Sequence, residues 1–514
     1  MQIIDNRALL LKVRDPQRIT TVIPKSQMLD TGEVLVKWGL EEAQVLKNLR
    51  YKNVPSPIMG HYKWTGLYKP FAHQQTTASF LTLHRKGFCF NEQGTGKTGS
   101  VIWAADYLMN IGAINRVLVL CPLSIMQSAW QNDIFKFAIH RTCVIAHSHS
   151  KEKRIQAVNS DADFVICNFD GLEIIKEHVD GKFDLIVIDE ANTYKNPQTK
   201  RWKTLNQIVK PETWLWMLTG TPAAQSPTDA YGLAKLVNPS SVPKFFGGFR
   251  DMVMQRITQF KWVPRARSED IVHQALQPAI RFSKEECLDL PDVTHVFRET
   301  PLSKQQEKFY ELLRKQMTTV AAGEEITTVN AAANLNKLLQ LSCGAVYSDS
   351  GEVVAFDCSD RMTALKEVIE EASHKVLVFA PFKHVIHQIS EELTASGITN
   401  EIINGEVSAS KRTSIFARFQ ETHDPRVLVI QPQAAAHGVT LHAANVIVWW
   451  GPITSIETYL QANARVHRAG QRNPVTVVHL QGSAVEKRIY KMLDEKVDIH
   501  SRMIDLYKTV VDEG

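Results

Sequence analysis

Apolar and polar positions alternate in blocks along most of this chain. Short apolar runs rich in β-branched residues, typical of strands buried on both faces, are followed by segments with the three-to-four-residue apolar spacing of a helix. The predicted strands are Phe88–Phe90, Val117–Leu120, Phe164–Cys167, Leu185–Ile188 and Trp214–Leu218, then Val376–Phe379, Ile402–Ile403, Val427–Ile430, Val446–Trp449 and Val475–Leu480. Two such sets predict an α/β protein with two doubly wound parallel sheets.

Two regions lie outside these sets. The first 65 residues contain one predicted strand, Gly32–Val36, and one predicted helix, Glu41–Asn48, before the break at Pro55-Ser56-Pro57. The pattern between the two sets, at about 240–345, is helical and amphipathic. We therefore expect five segments: a small N-terminal unit (1–65), a first α/β domain (66–240), a helical protrusion (241–350), a second α/β domain (351–490) and a C-terminal helix (491–514).

Composition narrows the class of protein. A chain of 514 residues is too long for a single hydrophobic core, so more than one domain is expected. Its content of 44% hydrophobic and 22% charged residues is typical of a globular protein. We expect a cytoplasmic protein with no membrane partner, since no apolar stretch approaches membrane-spanning length and the N-terminus lacks a signal-peptide layout. The seven cysteines form no C-x-x-C pair, which argues against zinc and disulfides. A formal net charge of +5 is compatible with a polyanionic partner.

A glycine-rich turn joins the first predicted strand to a helix. Gln93-Gly94-Thr95-Gly96-Lys97-Thr98 follows Phe88–Phe90 and precedes the periodic segment that begins at Val101. Glycines and a helix N-terminus form a phosphate cradle, in which Lys97 would reach the β- and γ-phosphates and Thr98 would hold Mg²⁺. Asn91 stands where the strict motif has glycine. The order strand, loop, helix predicts a nucleotide site, with ATP and Mg²⁺ as cofactors.

A second acidic element completes this prediction. Asp189-Glu190 directly follows the buried strand Leu185–Ile188. Ligand chemistry in open α/β sheets lies at the carboxyl ends of strands. Asp189 is therefore predicted to hold Mg²⁺, and Glu190 to act as the base or to position water for attack on the γ-phosphate. An ordinary acidic strand end is the simpler alternative.

Together these motifs and those downstream resemble superfamily-2 helicases, specifically the Snf2 family, in order over residues 66–495. The resemblance implies two RecA-like domains. The segments that carry it are Phe71–Gln74, Leu120–Ser124 with Trp130, Asn168–Asp170, Asp189–Asn192, Lys195–Pro197, Leu218–Ala223, Phe379–Phe382, Ile403–Gly405, Ala434–Leu441 and Gln461–Gln471.

Some positions depart from the family pattern. Asn192 replaces the usual histidine of motif II, and Ala464 replaces glycine before the first motif VI arginine. The motif V form, with Ala435 and Ala436, is similar to that of the branch containing HARP-type annealing helicases. The long insertion of chromatin remodellers is absent from this sequence. We therefore expect a minimal DNA motor of bacterial or phage origin.

The resemblance also implies roles for individual residues. The catalytic set is Lys97, Asp189, Glu190, Gln461, Arg465 and Arg468, with the two arginines acting as fingers from one face of a helix. The cofactor set is Gln74, which would read adenine, with Gln93, Gly94, Thr95, Gly96, Lys97, Thr98 and Gly438; Thr98 and Asp189 would hold the metal. The nucleic-acid set is Ser124, Asn168, Lys195, Asn404, Gly405 and Thr440. Lys195 could instead cap the motif II loop.

Basic and aromatic residues alternate in the segment Lys244–Arg267. Such a segment could stack bases or pack a duplex end. The simpler reading is that its aromatic side chains anchor a protrusion while its arginines are solvated, and we favour this reading.

The predicted function is an ATP-dependent translocase on duplex or branched DNA that works in fork remodelling, branch migration or strand annealing. We expect a monomer that can meet replication or recombination proteins. Two alternatives stay open, an RNA-directed ATPase of the same superfamily and a nucleotide-gated factor that clamps or displaces a protein–DNA complex. Residues 1–65 would recognise branched DNA or brace the first domain.

Overall fold

The chain divides into two units, and the first of them ends at Cys287. The structure is a computed structural model, and it describes residues 1–220, 222–223, 226–258, 262–287, 291–323, 328–347, 353–435, 439–468 and 470–495. No helix within these ranges is long and apolar enough to span a membrane.

The first unit opens with a small antiparallel sheet of strand order β1-β2-β4-β3. Its elements are β1 (Gln2–Ile4), β2 (Ala8–Leu11), α1 (Pro16–Val22), β3 (Ser26–Met28), β4 (Val34–Lys37), α2 (Leu40–Asn48) and α3 (Ile58–His61). Leu9, Val34 and Trp38 are buried in one apolar cluster with helix residues such as Ile19 and Leu46. The predicted strand and helix correspond to β4 and α2.

A seven-stranded parallel sheet forms the body of the first unit. The elements of this part are α4 (Ala72–Leu83), β5 (Lys86–Cys89), α5 (Lys97–Asn110), β6 (Val117–Cys121), α6 (Asn132–Phe137), β7 (Cys143–Ile145), α7 (Lys151–Val158), β8 (Phe164–Asn168), α8 (Phe169–Val179), β9 (Leu185–Asp189), α9 (Lys200–Ile208), β10 (Trp214–Leu218), α10 (Ala230–Val237), α11 (Phe246–Val253), β11 (Met254–Arg256), β12 (Trp262–Pro264), α12 (Ser268–Ala275), β13 (Ala279–Ile280) and α13 (Lys284–Cys287). The strand order is β13-β5-β10-β9-β6-β8-β7.

Both faces of this sheet are covered by helices, as the apolar runs predict. Ile186 and Ile188 of β9 lie in one buried cluster, while Leu185 and Val187 lie in the cluster on the opposite face. Alternate side chains of a strand point to opposite faces, so a run without polar positions fits only a strand buried on both sides.

The N-terminal sheet is docked on α4. The Gln44 side-chain amide donates a hydrogen bond to the Thr82 carbonyl at 3.2 Å. The hydroxyls of Ser56 and Thr82 lie 2.7 Å apart and are buried. Leu83, the last residue of α4, belongs to the apolar cluster of the small sheet. The small sheet and α4 therefore share a core.

The second unit is built on a six-stranded parallel sheet of order β14-β21-β20-β17-β19-β18. Its elements are β14 (Val293–Glu299), α14 (Lys304–Gly323), α15 (Thr328–Cys343), β15 (Ala345–Tyr347), β16 (Val353–Ala355), α16 (Ser359–Glu371), β17 (Lys375–Phe379), α17 (Lys383–Ala395), β18 (Asn400–Ile403), α18 (Ala409–Glu421), β19 (Val427–Ile430), α19 (Pro432–Ala435), β20 (Ala444–Trp449), α20 (Ile456–Asn463), β21 (Val475–Gln481) and α21 (Ala484–Asp494). The predicted helix at 491–514 overlaps the end of α21 and otherwise lies outside the described residues.

Each of the ten predicted strands is present in one of the two parallel sheets, which confirms the predicted fold class. The segment predicted to be helical throughout also contains the hairpin β11–β12 and the edge strands β13 and β14. The apolar pattern does not reveal them, because β13 is two residues long and only every second or third position of β14 is even partly buried.

Candidate active site

Three strand ends lie side by side in the first unit and set the geometry of the site. Cys89, at the end of β5, is paired with Leu218 of β10, and Leu218 is paired with Asp189 of β9. The register therefore brings the glycine-rich loop, the Asp189-Glu190 pair and the segment after Leu218 to the same edge of the sheet. This edge is where open parallel sheets bind ligands.

The glycine-rich loop has the shape of a phosphate cradle. Gly94 and Gly96 have φ angles of 87° and 77°, which favour glycine, and α5 begins at Lys97. The Lys97 ammonium donates hydrogen bonds to the Asn91 carbonyl at 2.8 Å and the Glu92 carbonyl at 3.2 Å. The cation is thus held at the loop, at the N-terminus of a 14-residue helix.

Asn91 explains why this loop tolerates the missing glycine. Its amide donates to the Thr77 hydroxyl at 2.8 Å, and its amide oxygen accepts from the Phe282 backbone N–H at 3.1 Å. The side chain is almost fully buried. Asn91 therefore ties the start of the loop to α4 and to the segment after β13.

Gln74 lies against the same loop. Its side-chain oxygen accepts from the Phe71 N–H at 2.9 Å, and its amide nitrogen donates to the Gly96 carbonyl at 3.3 Å. A side chain at Gly96 would collide with that amide. Nearby, the His73 ring is 2.8 Å from the Thr95 carbonyl. Gln74 is therefore positioned at the loop, and its reading of adenine stays a prediction.

Asp189 is oriented by a tryptophan. The Trp130 indole N–H donates to the Asp189 carboxylate at 3.0 Å, and the Glu190 backbone N–H donates to its other oxygen at 3.1 Å. Trp130 is fully buried in a π-helical turn, Met126–Gln131, a type of turn often found at functional sites. Trp130, which belongs with Leu120–Ser124 to one of the segments that carry the family resemblance, is thereby joined to the predicted metal ligand Asp189.

The charges of Lys97 and Asp189 act on one buried thiol. Burial raises the pKa of Cys89 to about 11; the Lys97 ammonium opposes this rise, and the Asp189 carboxylate adds to it. Both charges therefore lie close to the end of β5.

Glu190 has a φ of 58°, a left-handed backbone conformation that a residue other than glycine adopts only when its surroundings hold it.

The donor set fits a Mg²⁺–nucleotide. The hydroxyl of Thr98 and the carboxylate of Asp189 are oxygen ligands of the kind Mg²⁺ prefers. A methyl group at Gly220 would lie 3.3 Å from Gln93, so the segment after β10 approaches the loop closely. The Gln93 amide oxygen is buried and has no hydrogen-bond partner among the described residues. An unpaired buried acceptor beside a phosphate cradle fits a site completed by a ligand.

The three nucleic-acid candidates of the first unit occupy different surroundings. Asn168 ends β8, and its side-chain oxygen is 3.3 Å from His147. The Lys195 ammonium lies 3.1 Å from the Asp229 carboxylate, an ion pair that fits a role in holding the motif II loop. Ser124 is in a short 3₁₀ turn, Leu123–Ile125, and its side chain is not among those described.

The second unit brings its predicted residues together around one carbonyl. The guanidinium groups of Arg465 and Arg468 donate to the Val439 carbonyl at 3.4 and 3.3 Å. Arg465 also donates to the Gln461 carbonyl at 3.0 Å. The Gln461 amide donates to the Glu457 carboxylate at 3.2 Å.

One prediction about these arginines is wrong. They do not share a helix, because α20 ends at Asn463 and both arginines follow it in turns. The Trp449 indole N–H donates to the Asn463 side chain at 3.0 Å at this helix end. The arginines converge through their contact with the motif V backbone rather than through helical periodicity.

The remaining candidates lie at the carboxyl edge of the second sheet or outside the described residues. The Asn404 side chain is buried and accepts from the Glu406 N–H at 3.0 Å, so it shapes its own loop. Gly405 is exposed, with open space where a side chain would lie. Thr440 is half-buried near Val439. Gly438 and Thr221 lie outside the described residues.

The sequence patterns did not reveal the role of Trp130. The family resemblance includes Trp130 together with Leu120–Ser124, but the hydrogen bond from Trp130 to Asp189 depends on a π-helical turn that no periodicity signals. Two other contacts could not be predicted from the sequence, because their residues are far apart along the chain. Lys195 and Asp229 are 34 positions apart, and Asn91 and Thr77 are 14 positions apart.

Two domain-family models together match most of the chain. The SNF2-related domain family matches residues 34–344, more than half of the chain, and the helicase conserved C-terminal domain family matches residues 360–470. The chain belongs to the SNF2-related family. The first match begins at β4 of the small N-terminal sheet and extends past Cys287 through α15, and the second begins in α16 of the second unit.

Similar proteins come from distant organisms. The chain is 25% identical over 449 residues to chromodomain-helicase-DNA-binding protein 1-like of Danio rerio, covering 82% of this chain and 42% of the relative. It is 28% identical over 434 residues to an uncharacterized ATP-dependent helicase of Mycoplasma pneumoniae, covering 81% and 40%. The chain thus spans less than half the length of these relatives. The solved structure of the Sulfolobus solfataricus SWI2/SNF2 ATPase core in complex with dsDNA is 23% identical, covers 88% of this chain and 94% of its own, and has a TM-score of 0.42.

Proposed function

We propose that this chain couples ATP hydrolysis to translocation along duplex DNA. The observation that carries the proposal is the strand register that aligns the glycine-rich loop, the Asp189-Glu190 pair and the segment after Leu218 at one sheet edge. Membership of the SNF2-related family supports it. The name of the Danio rerio relative, which contains the words helicase and DNA-binding, also supports the proposal.

On this proposal, each predicted site residue of the first unit contributes to ATP hydrolysis. Lys97 would bind the β- and γ-phosphates, and Thr98 and Asp189 would hold Mg²⁺, which would supply positive charge next to the phosphate oxygens. Gln93, Gly94, Thr95 and Gly96 line the phosphates. Glu190 takes the proton of the attacking water or orients it, as expected of a carboxylate next to the metal ligand.

On this proposal, arginines of the second unit would stabilise the negative charge that develops during phosphoryl transfer. Arg465 and Arg468 act as arginine fingers, with Gln461 orienting the water or γ-phosphate. Fingers of this kind contribute about 10³–10⁵ to the rate in other nucleotide hydrolases. Their shared contact with the Val439 carbonyl keeps the two guanidinium groups close together.

The track for DNA is proposed to run past the loops that resemble the nucleic-acid motifs. Ser124, Asn168, Lys195, Asn404, Gly405 and Thr440 are the candidate contacts to backbone phosphates. Binding through phosphates does not depend on base sequence, which suits a motor that moves along DNA.

Within this activity we propose fork remodelling, branch migration or strand annealing by a HARP-like motor of a bacterium or phage. The absence of a chromatin-remodeller insertion from the sequence supports this narrower proposal, and a monomer working near replication or recombination proteins fits it. Residues 1–65 are the candidate for choosing branched substrates.

The test is the ATPase rate in the presence of linear duplex, forked DNA, four-way DNA, single-stranded DNA and RNA. We expect stimulation by duplex DNA, and stronger stimulation by forked or four-way DNA. Stimulation by RNA alone would support the RNA-directed alternative and contradict the proposal. DNA-stimulated hydrolysis without movement would support the nucleotide-gated clamp.

A further inference from the structure

One short segment of this chain, Lys244–Arg267, is rich in basic residues, and we call it the basic arm. The arm contains six basic residues and a single acidic one, Asp251. The whole chain has 59 basic and 54 acidic residues and a formal net charge of +5. The arm alone therefore has a formal charge of +5, and it is one of two strongly basic segments, since residues 47–86 contain seven basic residues and no acidic one.

The inner side of the arm anchors it to the first unit. The arm comprises α11, the hairpin β11–β12 and the residues flanking them. Phe249 is buried, and its ring and that of Phe246 lie 5.6 and 5.5 Å from the ring of Tyr231 on α10. The Tyr231 hydroxyl donates to the Lys244 carbonyl at 2.8 Å. The anchoring role favoured from the sequence therefore accounts for these two aromatic residues.

The outer side of the arm is cationic. Arg256, Arg265 and Arg267 are exposed on the hairpin and just after it, and Phe245 is 71% exposed. Asp251 lies 3.2 Å from Arg250, whose guanidinium group also stacks over the Trp262 ring at 4.1 Å. The arm's one acidic residue, Asp251, therefore pairs with Arg250, which is not one of the three exposed arginines.

We propose that the basic arm is a second DNA contact, in which Arg256, Arg265 and Arg267 bind the sugar–phosphate backbone of duplex DNA. The inference rests on the proposed DNA-dependent ATPase, and it adds a surface that none of the helicase motifs includes. Charge complementarity identifies the occupant, because a polyanion gains from a cluster of exposed arginines. Arginine is also the side chain best suited to phosphate oxygens.

The arm is linked to the nucleotide site by a chain of direct contacts. Lys195, which follows the Asp189-Glu190 turn, is paired with Asp229 at 3.1 Å just before α10. A side chain at Gly232 would collide with the Lys195 carbonyl, so α10 packs directly on this loop. Tyr231 of the same helix holds the arm. Packed contacts of this kind can transmit a binding event, so DNA on the arm should raise hydrolysis.

The test replaces the three arginines with glutamine in the full chain and measures binding to a blunt duplex over a series of salt concentrations. Each lost phosphate contact reduces the slope of log affinity against log salt by about 0.9, so the triple variant should lose roughly 2–3. Its DNA stimulation of ATP hydrolysis should fall in parallel, while its melting temperature still rises on addition of ATP.

Two variants separate a contact from other effects. Lysine at the same three positions keeps the charge, so this variant should keep most of the salt slope. If the substitutions instead distorted the hairpin, the lysine variant would lose the slope as well. Glutamine at three exposed lysines of α14, Lys304, Lys308 and Lys315, removes the same charge elsewhere and should leave the slope unchanged.

An unchanged slope in the arginine-to-glutamine variant, with wild-type protein that binds duplex, would overturn the inference and leave the proposed function standing. Equal losses in the arm and α14 variants would also overturn it, because the effect would then be one of overall charge. Failure of the wild-type protein to bind or respond to DNA would instead refute the proposed function. Should the triple variant not fold, each single glutamine variant should still lose about 0.9 of slope.

Discussion

At the scale of single residues, Glu190 combines a demanding backbone conformation with the predicted role of base. A left-handed φ costs a non-glycine residue about 1 kcal/mol or more, and such conformations concentrate at functional sites. The neighbouring Asp189 carboxylate accepts the Glu190 N–H at 3.1 Å and helps to hold the turn.

Replacing Glu190 with glutamine should separate binding from hydrolysis. The amide has the same shape but cannot accept a proton, so the hydrolysis rate should fall by about 10²–10⁴ while ATP still binds. Turnover and the affinity for a fluorescent ATP analogue measure the two effects, and Lys97→Ala serves as the comparison, since it should weaken both. A Glu190→Gln protein with near wild-type turnover would place the base elsewhere.

Trp130 provides a second test at this scale. Phenylalanine would fill most of the same buried space but could not donate to Asp189, and a hydrogen bond to a charged group contributes about 1.5–3 kcal/mol. We expect Trp130→Phe to lower the ATPase rate roughly tenfold and to raise the Mg²⁺ concentration needed for half-maximal rate.

The matched control for Trp130 is Trp38→Phe. Trp38 is also buried, and its indole N–H donates to the Pro55 carbonyl at 2.8 Å within the N-terminal region. That variant should lower the melting temperature without changing the Mg²⁺ requirement. A Mg²⁺ requirement that shifts equally in both variants would show that Trp130 acts only through stability.

At the scale of elements, the sequence is most informative where strands are buried on both faces. Leu185–Ile188 and Trp214–Leu218 contain no polar residue, and the structure confirms them within one residue. Cys143–Ile145 and Val293–Glu299 were missed, because edge strands are partly exposed and their patterns resemble loops. The boundaries predicted at about 65, 240, 350 and 490 stay a proposal, for which limited proteolysis would be the test.

The site was less predictable than the sheets. Residues carried by motifs, such as Lys97 and Asp189, could be found because their spacing encodes a loop or a strand end. The arginines after α20 were placed on a helix by spacing alone, whereas their position depends on where Asn463 ends that helix. Packing between distant segments decides such details.

Deletion of residues 1–60 should lower the melting temperature of the first unit. The deletion would expose Leu83 and leave the buried Thr82 hydroxyl without Ser56. Differential scanning calorimetry measures the change, and Ser56→Ala, which removes only the hydroxyl pair, should give a smaller decrease. An unchanged melting temperature would contradict the bracing role, whereas a selective loss of activity on forks would support the proposed recognition of branched substrates.

At the scale of the whole molecule, buried histidines should make stability fall in acid. Burial, and then the charge of His295, lower the pKa of His479 to about 3; its ring lies 2.8 Å from the Tyr459 hydroxyl. An unfolded histidine titrates near 6.5, so below that pH the unfolded state binds more protons and the native state loses stability. The loss continues down to the folded pKa.

The expected destabilisation from His479 alone is about 2–3 kcal/mol at about pH 4.5. Melting temperatures recorded from neutral pH to that value should show a steeper decline for wild-type protein than for His479→Gln. His423, whose side chain is 94% exposed, is the control, and His423→Gln should follow the wild-type curve. Parallel curves for the wild type and His479→Gln would contradict the assignment.

The central claim is that ATP hydrolysis by this chain drives movement along duplex DNA, and triplex displacement tests it most directly. A third strand bound in the duplex groove is removed only by a protein that moves past it. We predict that the wild-type protein releases the third strand with ATP, and that neither ADP nor the Lys97→Ala variant supports release. A protein that hydrolyses ATP in response to DNA yet leaves the third strand in place would contradict the account.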